Sequence, residues 1–431
     1  MNFTRTHAIL IYLLIFGLKL LFALLPAHLS DMQIYIGWSR IAYENGVQNF
    51  YSGNVWTDYL PGTIYLLTFM YSVYLALLAV WPWISVEFLF KLLPIIADML
   101  AVWVLYLTIE QLLRTSIEGK SKREFLAIVG AGVYALAPFT TINAAVWGQM
   151  DALFTLFLIL TFYYFVRQNL YFAAICYATS LVIKPHGLFL AIPMVMFFCL
   201  QKKYLLLARL VVYTALAIFA LTYPAYGFNF VGGMYSSINN NLEAYAYNSL
   251  NIYNFWGMFG FYLNSDVPII GPLNINMLGY ILTLVAYSFG LWSMYVLRKV
   301  LCTKHGLVVL AYYLAYFIFA SIMFLPIMHE RYYYPIFIFM FAHIYSLEIV
   351  REHGLKAAKL LSSFYVLLFG LILLHSLNLF FVYDIMMYTP LPNELFQVLE
   401  MGAPILSGLT YLLFLYYALA SEYIHRKWLH G

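Results

Sequence analysis

Apolar runs long enough to cross a bilayer recur from one end of this chain to the other. A hydrocarbon core about 30 Å thick takes roughly 20 apolar residues in a helix, and inside it only helices or closed barrels satisfy their own backbone groups. None of the runs alternates with period two, so the fold expected is all-α and polytopic. Hydrophobic residues make up 65% of the 431 positions and charged residues 9%, against about a quarter charged in soluble domains. Water cannot be the solvent for most of this surface, and membrane lipids rather than nucleic acid are the expected surroundings.

The side on which each basic residue lies then sets the topology. Apolar segments fall near 7–25, 63–83, 89–113, 125–142, 151–166, 170–183, 187–200, 204–223, 277–297, 307–327, 335–350, 360–382 and 404–420. The first has the outline of a secretory signal behind Arg5, with small residues near Ala27, but Lys19 within it favours an uncleaved span. If every segment crossed, Arg114, Lys120, Lys122 and Arg123 would lie outside, against the positive-inside bias. Residues 63–83 start at Pro61-Gly62 and hold Trp81-Pro82-Trp83, so they read as a re-entrant or interfacial helix pair on the outer side.

About twelve crossings follow, with both termini cytoplasmic. Arg5, the 114–123 cluster, Arg167, Lys202, Lys203, Arg209, Arg298, Lys299, Lys304, Arg351, Lys356, Lys359, Arg426 and Lys427 fall inside; Arg40, Lys184 and Arg331 are left in outer loops. The chain reads as a single membrane domain, 1–431. Within it lie a module over 1–223 with an outer loop at 26–62, a long outer loop at 224–276, and C-terminal helices over 277–431. The three cysteines, Cys176, Cys199 and Cys302, show no metal-type spacing, which argues against a disulfide framework or zinc site.

Ionisable groups beside spans are costly and are functional candidates by default. On the outer side lie Asp31 and Arg40, Asp58 in Trp56-Thr57-Asp58-Tyr59-Leu60-Pro61, and Gln149 and Asp151 in Trp147-Gly148-Gln149-Met150-Asp151. Lys184-Pro185-His186 and Met328-His329-Glu330-Arg331-Tyr332 complete the set. Asp98 lies deep in a span, where a buried pair with Lys91 on the same helix is one expectation, although no sequence argument decides its role. Trp38, Trp56, Trp147, Trp256, Tyr332 and Tyr333 could stack on sugar rings, although an aromatic belt at the interface predicts the same residues.

An acid just after the first span, a later Asp-Tyr-x-Pro, a Gln between short spans, a Lys-Pro hairpin and a late His-Glu-Arg run follow in order from Asp31 to Pro335. That order resembles the GT-C membrane glycosyltransferases that use polyprenyl- or dolichyl-phosphate sugars, such as the glucosyltransferases of N-glycan assembly and the prokaryotic relatives of the glycosylphosphatidylinositol mannosyltransferases. The resemblance implies inverting transfer of a hexose from a lipid-linked donor to a hydroxyl acceptor on a glycan, lipid or protein, at the extracytoplasmic face of a prokaryotic plasma membrane. No cofactor is required, and a divalent metal is possible but not predicted.

Under that reading Asp31 is the general base, which must reach the acceptor hydroxyl opposite the leaving phosphate; capping of the following helix is its structural alternative. Lys184, Arg331, His329 and Arg40 would bind the donor phosphate, or else anchor spans by snorkelling. Asp58, Gln149, Asp151, His186 and Glu330 would line the site, with Glu330 equally suited to a simple ion pair with Arg331 or Arg40. The hairpin reads Lys-Pro-His rather than Lys-Gln, and the late run His-Glu-Arg-Tyr rather than His-Glu-Lys, so sugar and acceptor do not carry over. A transporter or lipid-linked saccharide flippase is the alternative, for which a midplane site and repeated halves would be expected. A structural scaffold would leave the outer charge cluster without purpose.

Overall fold

The protein is described by a computed structural model covering residues 5–53, 55–114, 117–348, 355–386 and 393–427, with the backbone alone for 5–8, 241–244, 355–358, 384–386 and 393–400. Of the cytoplasmic expectations, Arg351 and the side chains of Arg5 and Lys356 lie outside the described residues.

The fold is all-α apart from a hairpin at 268–274. Among the described residues, seven helices are long and apolar enough to cross a membrane, or eight if the bent pair Lys120–Leu136 and Pro138–Trp147 counts as one span. Asp151–Val166, Leu170–Ile183 and Pro185–Leu200 are apolar but shorter. Sixteen residues of helix rise only about 24 Å, less than the hydrocarbon thickness. Their burial explains how they persist, since every residue of Asp151–Val166 from Asp151 to Leu156 is buried against neighbouring helices. Gly306–Phe324 is buried on all sides, as expected for a helix apolar around its whole circumference. The largest apolar core spans Ile15 to Ile424, and a second, smaller one includes Met32, Tyr35, Trp38, Ile64 and Phe90.

Sequence signals set the helix ends. Ser85, Asn169 and Asn274 each accept a backbone N–H of the turn they precede, at 3.2, 3.3 and 2.8 Å, and so cap Val86–Leu113, Leu170–Ile183 and Ile275–Val296. Pro138 breaks the path from Lys120 to Trp147 with a bend of 57°, because proline cannot continue the hydrogen-bond ladder.

The re-entrant pair expected at 63–83 is absent. In its place stands one continuous helix, Pro61–Leu78, whose proline occupies the first turn, where its missing N–H costs nothing. The preceding segment, 26–62, expected as an outer loop, is itself largely helical, with Leu29–Asn45 and Val47–Ser52. The excursion closes on itself, since Ala27 N–H points to Glu87 Oε2 at 3.4 Å. The segment 224–276, expected as a long outer loop, is also folded, into a helix at Phe230–Ala244, a short turn at Trp256–Phe259 and the hairpin.

The expected Lys91–Asp98 pair does not form. Asp98 lies 2.8 Å from Lys19 of the first helix and accepts from the Tyr334 hydroxyl. Lys91 turns instead to the carbonyls of Ala23 and Leu25, groups that the end of the first helix leaves without an intrahelical partner.

Candidate active site

The site is assembled where several helices end on one side. The Leu29–Asn45 helix is capped by His28, whose Nδ1 lies 3.4 Å from the Asp31 amide. Asp31 is therefore not the cap. It sits in the first turn, with its side chain 22% exposed. All of its side-chain contacts fall on Oδ2: Trp147 Nε1 donates at 2.9 Å, Gln149 Nε2 donates, and His28 Nδ1 lies at 3.3 Å. Oδ1 carries no hydrogen bond among the described residues.

The donors come from a turn that requires glycine. The Ile142–Trp147 segment ends at Gly148, with φ of +85°, a conformation that glycine alone adopts without strain. A Cβ there would also lie 2.8 Å from the Met32 side chain and 3.2 Å from that of Lys91. The turn aims Trp147 and Gln149 at Asp31. His28 stacks on Trp147 with ring centroids 4.6 Å apart, and the Tyr35 hydroxyl donates to Gln149 Oε1 at 2.8 Å, which orients the amide.

Asp31 opens onto a cavity of about 320 Å³ that it shares with Arg331, Glu330, His329 and Asp58. Its walls are aromatic, including Tyr35, Trp38, Trp56, Tyr59 and Trp147. The 224–276 segment roofs it: Tyr245, Tyr247, Asn251 and Tyr262 line the same space, and the Leu250 amide donates to Met328 O at 3.1 Å. Asparagines hold this roof. Asn248 Nδ2 donates to Gly260 O at 2.7 Å, Asn254 to Ile322 O at 3.1 Å and Asn378 to Asn251 O at 2.6 Å.

Arg331 is the cation of the cavity. Its Nη1 reaches Glu330 Oε1 only at 3.4 Å, and its Nε has no hydrogen-bond partner among the described residues. Burial would lower its pKa, but the charges of Asp31 and Glu330 outweigh it and hold the guanidinium ionised. Burial pushes the Glu330 carboxyl up to about 7, with Arg331 opposing, and raises that of Asp58 as well. His329 is driven well below the usual imidazole range by burial and by Arg331, so it is neutral and its ring nitrogens can accept or donate. Burial likewise lowers His28, against the pull of Asp31.

Two expected phosphate ligands stand elsewhere. Arg40 is 64% exposed and paired with Glu44 at 2.8 Å, more than two turns along the helix from Asp31. Lys184 is committed to Asp151 at 2.6 Å, with side-chain exposures of 7% and 2%. Both face a separate small chamber with His186 and Tyr332; the rings of Tyr59 and Tyr332 lie 5.4 and 5.5 Å from the Lys184 ammonium. Burial lowers the pKa of Lys184 although Asp151 opposes it. Asp151 also accepts from Asn143 at 3.4 Å.

No group of three or more His, Cys, Asp or Glu side chains placed to hold a metal occurs among the described residues. Sequence reasoning missed His28, Tyr35, Tyr59 and the loop residues Tyr245, Tyr247, Asn251 and Tyr262. The density of Asn and Tyr between 238 and 264 was the signal for the last four. The chain matches no protein-family model and no curated protein, so a functional reading has to rest on this geometry.

Proposed function

We propose that this is an integral membrane inverting glycosyltransferase of the GT-C type, moving a hexose from a polyprenyl-phosphate donor to a hydroxyl acceptor in the Asp31 cavity. One observation carries the reading: Asp31 has one oxygen fixed by two donors, Trp147 and Gln149, and the other without a partner among the described residues, in the same aromatic-walled cavity as the Arg331 guanidinium. A base must be held in place yet keep a lone pair for the substrate, and aromatic faces suit the apolar faces of a sugar ring.

In the step proposed, Asp31 Oδ1 takes the proton of the acceptor hydroxyl as its oxygen bonds to the anomeric carbon. The bond from that carbon to the phosphate oxygen breaks, and the electron pair leaves with the lipid phosphate. Arg331 meets the charge that develops there, and a preorganised cation in a low-dielectric site is worth far more than one in water. His329 is placed to supply a further hydrogen bond.

The contacts also support the topology proposed here. Ala27 and Glu87 meet at one level, so the stretch between them crosses an even number of times. The Leu29–Asn45 helix, with Asp31, Arg40 and Glu44, is too polar to be one of a pair of crossings, which leaves Pro61–Leu78 on the side of the site. Counting the shorter helices as crossings then gives about twelve passes, with both termini and the 114–123 loop on the face opposite the cavity, the cytoplasmic one.

The test is to incubate the purified protein with polyprenyl-phosphate mannose and glucose and follow release of polyprenyl phosphate. Release should fall about 10²- to 10⁴-fold in Asp31→Asn, the usual span for losing a general base, while donor binding persists. Movement of intact donor across proteoliposomes without sugar transfer would overturn the reading in favour of a flippase.

A further inference from the structure

A second outer cavity, of about 420 Å³, lies on the other side of the segment that carries Asp58. Trp56, Asp58 and Tyr59 line the Asp31 cavity, whereas Val55 and Thr57 line the second. One thickness of backbone separates them. The far wall is the Phe230–Ala244 helix and the turn before it, which present Asn229, Gly232, Gly233, Ser236, Ser237 and Asn240 to the cavity. These recur at helical spacing and form one face, while Phe228, Val231 and Tyr235 stand exposed on the other. The helix is amphipathic, its apolar side exposed as in helices lying at a membrane interface, while Asn229, Ser236 and Asn240 stand exposed at the open cavity and Ser237 is buried behind them.

The opposite wall answers in kind, with Gln48 and Ser52 beside the rings of Tyr51 and Tyr226. Those rings meet edge to face, with centroids 4.9 Å apart, and the Tyr226 hydroxyl is tied to Ser237 at 2.9 Å. Among the described side chains, no Asp, Glu, Lys or Arg lines the cavity. Its size falls within the usual ligand range of about 300–1,000 Å³. Neutral amides and hydroxyls that both donate and accept, set beside aromatic faces, match an uncharged polyol, and the absence of cations argues against a phosphate.

We infer that this second cavity binds a neutral saccharide, the part of the acceptor that precedes the sugar being extended. The inference rests on the transfer reading for its purpose but not for its chemistry. The acceptor is then an uncharged oligosaccharide of at least two units, running over the 55–57 rim from one cavity to the other.

The probe is saturation-transfer NMR of α-mannotriose and maltotriose with the protein in nanodiscs and no donor present. Wild type should transfer saturation to a neutral trisaccharide. Ser236→Trp, which fills the cavity, and the pair Asn229→Ala with Asn240→Ala should each weaken binding about tenfold or more, as expected for removing one or two hydrogen bonds. Equal signals in wild type and both variants, no signal from either trisaccharide, or tighter binding of the same trisaccharides oxidised to uronic acids would overturn the inference. If saccharide binding follows the expected pattern while no polyprenyl-phosphate hexose is consumed, the transfer reading falls and the site stands; transfer without saccharide binding gives the reverse.

Discussion

Lys184 Nζ lies 2.6 Å from Asp151 Oδ1, and the pair stands behind the Asp31 cavity rather than in it. Removing one partner leaves a buried charge uncompensated, which costs about 3–5 kcal/mol, whereas replacing both with neutral groups is often tolerated. Lys184→Met and Asp151→Asn should therefore each lower the thermal midpoint sharply, and the double variant should recover most of the loss together with activity. A double variant with restored stability but no transfer would place Lys184 in direct contact with the donor.

The buried ion pair of Lys19 and Asp98 ties the first helix to the Val86–Leu113 helix, and the hydrogen bond from Tyr334 to Asp98 ties both to the end of the His-Glu-Arg run. Lys19 also donates to Thr140 at 2.8 Å, so the connection extends to the segment that presents Trp147. Asp98→Asn is expected to destabilise the protein by about 3–5 kcal/mol through the stranded lysine. Tyr334→Phe, which removes one hydrogen bond to a charged group, should cost about 1.5–3 kcal/mol. Denaturation midpoints of the two variants, measured in the same detergent, check the order; a larger effect for Tyr334→Phe would contradict it.

The polar groups of the site were legible because each interrupts an apolar chain: Asp31, Gln149 and Arg331 can be found by eye and do meet. Pairing was harder, since it depends on helix phase. Arg40 follows Asp31 by nine residues, about half a turn out of phase and roughly 13 Å along the axis, so it points to solvent and Glu44 instead. Lys91 and Asp98 share a face at seven residues' spacing, yet about 10 Å of rise separates them; Lys19 of the first helix claimed Asp98, and carbonyls just past the end of that helix claimed Lys91. His28 gave no signal because its role, capping and bracing Asp31, appears only once Trp147 is brought across from 116 residues away. The helix at 61–78 was legible as apolar but not as unbroken, since a proline at a first turn and one inside a span look alike in sequence.

Arg331 and Arg40 offer a contrast that separates a cavity cation from a surface one. Arg331→Ala should raise the KM for a polyprenyl-phosphate hexose and lower kcat, with kcat/KM down about 10²-fold or more, as for loss of a preorganised electrostatic donor. Arg331→Lys should recover only part of this, because a lysine cannot reproduce the fork of donors. Arg40→Ala, by contrast, removes an exposed pair with Glu44 and should leave the kinetics within twofold, the scale expected for a surface ion pair. Steady-state release of polyprenyl phosphate measures all three, and equal losses in Arg331→Ala and Arg40→Ala would remove Arg331 from the donor site.

Glu330 sets a pH dependence whose direction follows from its burial. Its carboxyl is pushed from an ordinary 4.5 up to about 7, so between those values the native state holds a proton that the unfolded chain has released. The state that binds more protons loses ground as pH rises; the contribution of Glu330 to stability is thus full below about pH 4.5 and declines through pH 7. In the protonated form it is a neutral neighbour to Arg331; once ionised, it becomes the counter-ion 3.4 Å from Nη1 and competes with a lipid phosphate for the same guanidinium. Donor affinity should accordingly weaken as pH rises from 6 to 8. In Glu330→Gln both the slope of the thermal midpoint over pH 5–7 and the slope of donor affinity over pH 6–8 should flatten. A variant that keeps the wild-type slopes would assign them to another group in the cavity, with Asp58, also raised by burial, the next to replace.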